Sequence, residues 1–397
     1  MTFVTYEASR TGSPVMLLRL LRWLRAHSDL DLEVVCWRGG PLVPELRELA
    51  EVVVLSPAGP PNPGEILTVA AEALDLPAIR RRLTGARMAF GRRRQRRPDL
   101  VYVNGAPSLI ALPYLGGAPV IAHIHELEFA LGRSLAPDDR SLLGRPDRYL
   151  AVARVVADNL IEHHGVDPGA VCVQPGFVGD IQPEVVDQPD ALRARLGIPR
   201  QAMIVGAVGD VIWRKGPDLF LQVPARVIGA AREAGEPDPH FVWVGGRPHE
   251  GMFDETGQDL TAMDLEGLVH FVGEQVHVDD WYRLFDLHVL TAREDPFPLV
   301  VLEAARAGLA TVCFAAGGAP EFLVGPDGAA GVVVDTLDVA AMAGMVRALL
   351  RDKGEREALG CRGAERTRDH HVTSIVAPRI LAEIDAALAP APQRVPR

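Results

Sequence analysis

The stretch LHVLTAREDPFPLVVLEAARAGLATVCFA, residues 287–315, contains the pattern that determines the fold. A β-branched run at 287–292 is followed by an apolar segment of helical length and then by a second β-branched run at 310–315. Gly308 marks the end of the helical segment, because glycine readily adopts the left-handed conformation that ends a helix. A strand, a helix and a strand in this order predict a parallel βαβ unit.

The same alternation extends along most of the 397 residues. The predicted strands are 3–6, 32–37, 52–55, 100–104, 120–125, 148–152 and 170–175 in the first half, and 203–209, 240–246, 269–273, 287–292, 310–315 and 331–335 in the second half. The clearest helix is predicted at 14–27, where apolar residues recur every three or four positions. This alternation predicts an α/β fold with two Rossmann-like halves, whose parallel sheets face a central cleft that holds a ligand.

Domain boundaries follow from composition. The segment 177–201 is rich in Pro, Asp and Gln and has no strong strand pattern, so we place a hinge near residue 180. The expected domains are 1–180 and 181–375. A C-terminal helix at 376–388 is expected to pack back toward the N-terminal half, and the tail 389–397 is expected to be disordered.

Charge and cysteine content exclude several classes of protein. The formal net charge of −11 argues against a general nucleic-acid binder. Four widely spaced cysteines without a C-x-x-C pair indicate neither a zinc site nor a disulfide framework, so a reducing cytoplasm is expected. The N-terminus lacks the pattern of a signal peptide, and the apolar run 106–122 is broken by Pro and Gly and is too short to span a bilayer. No G-x-G-x-x-G follows a strand, which argues against an NAD enzyme.

Two carboxylates in the opening stretch need an explanation. Asp295 precedes the predicted helix, and Pro296 and Pro298 are placed in its first turn. Glu303 is placed on the inward face of this helix, where a carboxylate is costly unless it is paired or hydrogen-bonded. One explanation is a local ion pair with Arg306, three residues further on.

A ligand is the other explanation. The N-terminus of a helix attracts a phosphate through its free amides and its dipole. Asp295 and Glu303 would stand on either side of that phosphate. Two carboxylates flanking a phosphate suit two polyhydroxylated groups joined by a diphosphate, which is the chemistry of a nucleotide sugar.

The spacing Asp295-x7-Glu303 resembles the acid-x7-acid signature of the family 4 retaining glycosyltransferases with the GT-B fold. The resemblance covers nearly the whole chain and is strongest over 204–336. It implies that Asp295 contacts hydroxyls of the donor sugar and that Glu303 holds the ribose. The family usually has Glu followed by Gly-Phe-Gly, whereas this chain has Asp followed by Pro-Phe-Pro. Because proline has no amide N–H, Phe297 and Leu299 are the residues expected to offer amides to the donor.

A second stretch, GDVIWRKGPDLFL at 209–221, resembles the Gly-Arg…Lys-Gly loop whose cations bind the diphosphate in this family. Lys215 falls on the lysine of that loop. The usual arginine position is occupied by Asp210, and the adjacent Arg214 is the candidate to supply the missing charge. The alternative for an Arg-Lys pair alone is a solvated surface, but cations that follow a buried strand face the ligand edge of a parallel sheet.

Two stretches of the first half match the family as well. Gly12 and Ser13, within EASRTGSPVMLLRLL at 7–21, resemble the first glycine loop, which lies under the donor phosphate. In VIAHIHELE at 120–128, the histidine that contacts the donor sugar in the family corresponds to His125. His123 lies on the same side of the strand, so a metal pair is the alternative, although no third ligand is in view.

The remaining matches are weaker. The turn after Phe271 is implied to place Glu274 near the base of the donor, and the turn AGGAPEF at 316–322 is implied to line the cleft. The segment 80–97 is rich in arginine. Its explanations are a solvated helix and loop, contact with an anionic membrane surface, or binding of an acidic or phosphorylated acceptor. The loops 57–75 and 127–147, which would select the acceptor, match no pattern that we can interpret.

The resemblance implies transfer of a sugar from a nucleoside diphosphate sugar to an acceptor hydroxyl, with retention and without a metal or other cofactor. The implied catalytic residues are His125, Lys215 and Asp295, with the acceptor bound by the first half and the donor by the second. A nucleotide-sugar epimerase on the same scaffold and a non-catalytic sugar-binding protein are the alternatives. The sequence identifies neither the base, the sugar nor the acceptor, which is a glycan, a lipid-linked group or a small molecule. A cytoplasmic location is expected, either in solution or at the inner face of the membrane.

Overall fold

The structure is a computed structural model, and the residues that it describes are 1–56, 66–67, 77–91, 97–182, 184, 186–247 and 250–389. The chain divides into two compact units. Unit 1 consists of Met1–Gly176 and Thr373–Arg397, and unit 2 consists of Phe177–Val372. These limits lie within a few residues of the boundaries expected near 180 and 375. The expected disordered tail, apart from Ala389, lies outside the described residues.

Unit 1 contains a seven-stranded parallel sheet with the strand order β3-β2-β1-β4-β5-β6-β7. Its strands are β1 (Thr2–Glu7), β2 (Glu33–Arg38), β3 (Glu51–Ser56), β4 (Val101–Asn104), β5 (Val120–Ile124), β6 (Arg148–Ala151) and β7 (Val171–Val173). Its helices are α1 (Gly12–His27), α2 (Val43–Leu49), α3 (Pro77–Gly91), α4 (Glu128–Ser134), α5 (Arg154–His164) and the last helix of the chain. Within the described part of unit 1, 3-10 helices span Ala106–Tyr114, Pro137–Gly144 and Pro168–Ala170.

Unit 2 contains a six-stranded parallel sheet with the order β10-β9-β8-β11-β12-β15. Its strands are β8 (Ile204–Val208), β9 (His240–Val244), β10 (Val269–Phe271), β11 (Leu287–Leu290), β12 (Thr311–Phe314) and β15 (Gly331–Val334), and a small hairpin is formed by β13 (Val324–Gly325) and β14 (Gly328–Ala329). Its helices are α6 (Pro189–Leu196), α7 (Pro217–Glu233), α8 (Phe253–Ala262), α9 (Val278–Leu284), α10 (Leu299–Arg306), α11 (Ala319–Leu323), α12 (Val339–Arg351) and α13 (Lys353–His370). A 3-10 turn at Trp213–Lys215 precedes α7.

Each strand that the sequence predicts corresponds to a strand of one of these two sheets, so the prediction of an α/β fold with two parallel sheets is confirmed. Parallel strands buried on both faces read as continuous β-branched runs, which is why the pattern was recognisable. The strand order reverses once in each sheet, between β1 and β4 and between β8 and β11. In open α/β sheets, ligands bind at the carboxyl ends of the strands where the order reverses.

Two predictions about α10 are wrong. The helix begins at Leu299, and Pro298 is its extended N-cap residue, so both prolines precede the first turn. Its buried residues are Val301, Leu302, Ala304 and Ala305, whereas Glu303 is half-buried, so Glu303 does not lie on the inward face. The reason is α13, which packs along α10: a Cβ added at its Gly363 would lie 3.2 Å from the Cβ of Ala305.

The last helix, α14 (Thr373–Leu388), belongs to unit 1, where it contacts α1 and β5. The guanidinium of Arg148 at the start of β6 donates two hydrogen bonds to the Glu383 carboxylate, at 2.7 and 3.1 Å. The predicted start at residue 376 is thus three residues late. Within the residues that the structure describes, no helix has the length and apolar character needed to cross a membrane.

Of three further regions that the sequence singled out, the first two are described only in part. The loop 57–75 lies outside the described residues except for 66–67. The arginine-rich segment 80–97 belongs to α3 up to Gly91, and 92–96 lie outside the described residues. The loop 127–147 contains α4 and the 3-10 helix at 137–144.

Candidate functional site

The loops that follow β8 and β11 meet at the point where the strand order of unit 2 reverses. Gly216 has a φ of 71°, and a Cβ at this position would lie 2.1 Å from the carbonyl oxygen of Thr291. Only glycine therefore permits this approach. The Thr291 hydroxyl donates to the Gly216 carbonyl at 2.9 Å and joins the two loops.

This junction brings together the cations and the first acid of the predicted site. The Lys215 ammonium donates a short hydrogen bond to Oδ2 of Asp295. Nη1 of Arg214 lies 4.0 Å from the same oxygen and donates to the Glu294 carbonyl at 2.8 Å. Asp295 is buried, with 5% of its surface exposed, and the side chain of Lys215 is 15% exposed. The carboxylate therefore lies beneath its cations, which retain access to a ligand.

The glycine turn after β12 supports Asp295 from the other side. The Gly318 amide donates to the Asp295 carbonyl at 3.0 Å. Gly317 has a φ of 68°, and a Cβ added there would lie 1.9 Å from that carbonyl oxygen. The turn thus packs directly against the backbone of Asp295, whereas Glu321 in the same stretch is exposed on α11.

The start of α10 provides further candidate donor contacts. Phe297 is half-buried, and its ring stacks on His371 with centroids 5.6 Å apart. Leu299 is the first residue of the helix, and the first amides of a helix have no partner within it. The Val301 amide bonds to the Pro298 carbonyl at 3.0 Å, whereas no backbone hydrogen bond within the described residues uses the amides of Leu299 and Val300.

Glu303 is held by a tyrosine of the neighbouring helix. The Tyr282 hydroxyl on α9 donates to Oε2 of Glu303 at 3.3 Å. Burial, followed by the nearby Glu303 carboxylate, raises the pKa of Tyr282 well above its usual value, so the phenol remains a donor. Arg306, the alternative partner considered for Glu303, forms an ion pair with Asp279 at 2.7 Å.

Glu274 lies in the loop after β10 and is exposed. Arg247, in the loop after β9, donates to both of its carboxylate oxygens, at 2.7 and 3.4 Å. These hydrogen bonds hold the pKa of Glu274 below its ordinary value. The two loops are joined by the Gly245 amide, which donates to the Gly273 carbonyl at 2.8 Å.

Unit 1 places its predicted residues at the reversal point of its own sheet. Gly12 is the exposed first residue of α1, and Ser13 follows it, half-buried. Asn104, the last residue of β4, donates through Nδ2 to the Ser13 hydroxyl at 2.8 Å. Its Oδ1 lies 3.2 Å from Nε2 of His125. One amide side chain therefore connects Ser13 with His125.

His123 and His125 both favour the neutral form of the imidazole. Burial lowers the pKa of His123 to about 3, and its Nδ1 lies 2.8 Å from the Tyr102 hydroxyl. Desolvation, followed by the neighbouring His123, lowers the pKa of His125 well below its ordinary value. Over the part of the chain that the structure describes, no group of three or more His, Cys, Asp or Glu side chains is arranged to hold a metal ion.

Sequence reasoning missed Asn104, Arg247 and Tyr282. Asn104 and Arg247 each follow or end a predicted strand, which was a usable signal, since such positions lie at the ligand edge of a parallel sheet. Tyr282 is inside α9, and nothing in its local sequence indicates a contact with a carboxylate 21 residues away.

Two family models match the chain. One, described as Glycosyltransferase Family 4, matches residues 10–179, and the other, described as Glycosyl transferases group 1, matches residues 202–352. Among curated relatives, a D-inositol 3-phosphate glycosyltransferase of Catenulispora acidiphila is 28% identical over 84% of this chain and 81% of its own length. A lipopolysaccharide core biosynthesis mannosyltransferase of Rhizobium meliloti is 29% identical over 56% of this chain and 58% of its own length.

Among solved structures, Anabaena HepE in complex with UDP-glucose superimposes with a TM-score of 0.75. The match covers 97% of this chain and 99% of HepE at 16% sequence identity. A likeness at this identity establishes a shared fold, with both halves of the chain included.

Proposed function

Because the chain belongs to the family 4 glycosyltransferases and has their GT-B fold, we propose that it moves a sugar from a nucleoside diphosphate sugar to an acceptor hydroxyl. The proposal includes retention of the anomeric configuration and independence from metal ions. The observation that carries it is the contact of Lys215 with Asp295, beside the start of α10. Cations above a nearly buried carboxylate suit a ligand with both phosphate and hydroxyl groups.

Lys215 is proposed to stabilise the leaving diphosphate. A lysine ammonium has three N–H donors, so two remain after the hydrogen bond to Asp295. Arg214 adds a second cation with a partly exposed side chain. Negative charge grows on the diphosphate as its bond to the sugar breaks, so these cations act most strongly in the transition state. In this proposal the two side chains supply the positive charge that a divalent metal ion supplies to the diphosphate in metal-dependent enzymes.

Hydroxyl groups are the proposed ligands of the acids. Asp295 would accept hydrogen bonds from the sugar through the oxygen that Lys215 does not occupy. Glu303, already placed by Tyr282, would accept from the ribose. Phe297 and Leu299 would donate backbone amides, and Glu274, paired with Arg247, is proposed as a neighbour of the base. In unit 1, Gly12, Ser13 and His125 are the proposed ligand-binding residues.

The proposed reaction has no covalent enzyme intermediate. The acceptor oxygen bonds to the anomeric carbon on the face from which the diphosphate leaves, through an oxocarbenium-like transition state. The departing phosphate oxygen takes the proton of the acceptor hydroxyl. Retention follows because bond formation and bond breaking share one face of the sugar.

UDP-glucose is the first donor to test, because HepE has been solved with it. Inositol 3-phosphate heads the acceptor panel, because it appears in the name of the Catenulispora relative. Contact of the segment 80–97 with an anionic membrane and a cytoplasmic location stay predictions.

The experiment incubates the full chain with UDP- and GDP-sugars and the acceptor panel, and identifies products by NMR. We expect a glycoside whose anomeric configuration equals that of the donor, at a rate that EDTA leaves within twofold. An inverted product would contradict retention, and a rate abolished by EDTA and restored by Mn²⁺ would contradict metal independence. Conversion of the donor to an epimer without acceptor would replace transfer by epimerisation.

A further inference from the structure

Asn104 makes hydrogen bonds of opposite polarity on its two sides. It is 3% exposed, and the Ser108 hydroxyl donates to its backbone carbonyl at 2.7 Å. On one side its Nδ2 lies 2.8 Å from the hydroxyl and 3.3 Å from the carbonyl oxygen of Ser13. On the other side its Oδ1 lies 3.2 Å from Nε2 of His125.

The Ser13 carbonyl fixes the orientation of this amide. A carbonyl oxygen accepts and cannot donate, so the group that faces it must be the NH2 of Asn104. The amide oxygen therefore faces His125. Since that oxygen also only accepts, the proton between them must belong to Nε2 of His125.

The opposite nitrogen of His125 is then a hydrogen-bond acceptor. In a neutral imidazole with Nε2–H, Nδ1 carries a lone pair. Among the described residues, none forms a hydrogen bond with this Nδ1, and His125 as a residue is half-buried, so the lone pair of Nδ1 is left for a ligand. The ring of His123, 4.3 Å away, supports the imidazole of His125.

The same amide makes Ser13 a hydrogen-bond donor toward a ligand, whereas it makes His125 an acceptor. The hydroxyl oxygen of Ser13 accepts from Nδ2 of Asn104, so its own hydroxyl proton is directed elsewhere and can be donated. Ser13 therefore presents a donor where His125 presents an acceptor. A ligand that satisfies both has a hydroxyl at His125 and an acceptor oxygen, such as a phosphate oxygen, at Ser13.

We propose that Asn104 is a positioning residue that fixes His125 as the Nε2–H tautomer and Ser13 as a donor. Asn104 thereby selects a ligand with a hydroxyl at Nδ1 of His125 and rejects an unprotonated phosphate there. The identity of that ligand as a nucleotide sugar rests on the proposed function. The tautomer and the donor role do not.

The first test reads the tautomer without any ligand. The full chain, labelled with ¹⁵N-histidine, is measured by long-range ¹H–¹⁵N NMR at pH 7.5, and His125 is assigned by the signals missing from His125→Gln. We expect a protonated Nε2 and an unprotonated Nδ1. A protonated Nδ1, alone or together with Nε2, would overturn the proposal.

The second test changes Asn104. Asn104→Leu removes both hydrogen bonds and should let His125 populate the Nδ1–H form. Asn104→Asp keeps the shape but adds a charge, which should protonate His125 on both nitrogens at pH 7 and turn the Ser13 proton inward. Asn159→Asp, at another buried asparagine of unit 1, is the matched control and should leave the His125 signals unchanged.

Binding gives an independent readout. Calorimetry with UDP-glucose should show affinity lowered about tenfold or more in Asn104→Asp and changed less than threefold in Asn159→Asp. Unchanged His125 signals together with unchanged affinity in Asn104→Asp would overturn the positioning role, and this variant decides the matter where Asn104→Leu fails to fold. Failure of the unaltered chain to bind any nucleotide sugar would contradict the proposed donor, while the NMR result would still decide the role of Asn104.

Discussion

Lys215 is one of two lysines in a chain with 41 basic residues, and the other, Lys353, is 77% exposed on α13. An ammonium is a compact charge with three rotatable donors, whereas a guanidinium is a planar fork. At Lys215 the compact charge binds one oxygen of Asp295 and still has donors for a second anion. The pair is partly desolvated, so its loss leaves a nearly buried carboxylate without its main partner.

Lys215→Ala should therefore lower kcat about a hundredfold or more, because a missing donor at a developing charge typically costs about 3 kcal/mol or more. Lys353→Ala should leave kcat within twofold. Amine acetylation followed by mass spectrometry tests the same residue in the unaltered chain: UDP should protect Lys215 and leave Lys353 reactive. A rate within twofold in folded Lys215→Ala would contradict the phosphate role.

Glu303→Gln should weaken UDP binding about tenfold and change the melting temperature little. The amide can still accept from Tyr282, but it loses the charge that strengthens hydrogen bonds to ribose hydroxyls. Calorimetry with UDP measures the affinity, and Glu357→Gln on the exposed surface of α13 is the control. Equal affinity in both variants would assign Glu303 to the structure of unit 2 alone.

The sequence was sufficient to predict that Lys215, Asp295 and His125 lie in loops that follow strands, because each follows or ends a predicted strand. Whether these residues contact the ligand stays a prediction. The sequence was insufficient to predict which face of α10 is buried. That face is determined by packing against α13, whose Gly363 lies far along the chain. Partners such as Asn104 for His125 also require the register of neighbouring strands, which no local pattern encodes.

At the scale of elements, the position of Asp295 depends on three loops that follow β8, β11 and β12. The first contact is made at Gly216 and the second at Gly317, and both glycines adopt a positive φ. Because both glycines touch backbone rather than flexible side chains, neither contact can adjust to an added methyl group.

Gly317→Ala should lower both the melting temperature and the affinity for UDP. An added Cβ would overlap the Asp295 carbonyl, and the left-handed backbone costs a further 1 kcal/mol or so with a side chain. Gly229→Ala in α7, whose added Cβ meets no atom within 4 Å, is the matched control. It should be neutral or slightly stabilising, since alanine favours a helix over glycine. Unchanged UDP affinity in Gly317→Ala would contradict this account of how Asp295 is held.

At the scale of the whole molecule, each sheet contains a buried neutral histidine. His123 in unit 1 is 2% exposed and His288 in unit 2 is fully buried, and burial lowers the pKa of each to about 3. In an unfolded chain the pKa of histidine is about 6.5. Between these values the unfolded chain binds more protons than the folded one, so acid favours unfolding.

Stability should therefore fall as the pH decreases below 6.5, by up to about 1.4 kcal/mol per pH unit for each such histidine. Denaturant unfolding of the full chain between pH 5 and 7.5 measures this slope. His288→Gln should reduce it, whereas His163→Gln, at an exposed position of α5, should leave it unchanged. Equal slopes in the two variants would show that His288 is not the group that titrates.

The whole fold was more predictable than the site. Both parallel sheets could be predicted from β-branched runs. A strand that is buried on two faces has no alternating polar residues, so its sequence is a continuous apolar run. The hairpin β13–β14 was not predicted, since its four strand residues include two glycines and no β-branched run beyond Val324.

The return of α14 to unit 1 has a consequence for biosynthesis. When residue 176 has left the ribosome, the sheet of unit 1 still lacks the helix that covers α1 and β5 and that carries Glu383 to Arg148. At typical translation rates, roughly ten to forty seconds pass before residue 373 is made. During that interval the nascent first half exposes apolar surface, to which chaperones bind. Synthesis of unit 1 begins first, but unit 2 is complete before unit 1, because unit 1 ends with α14.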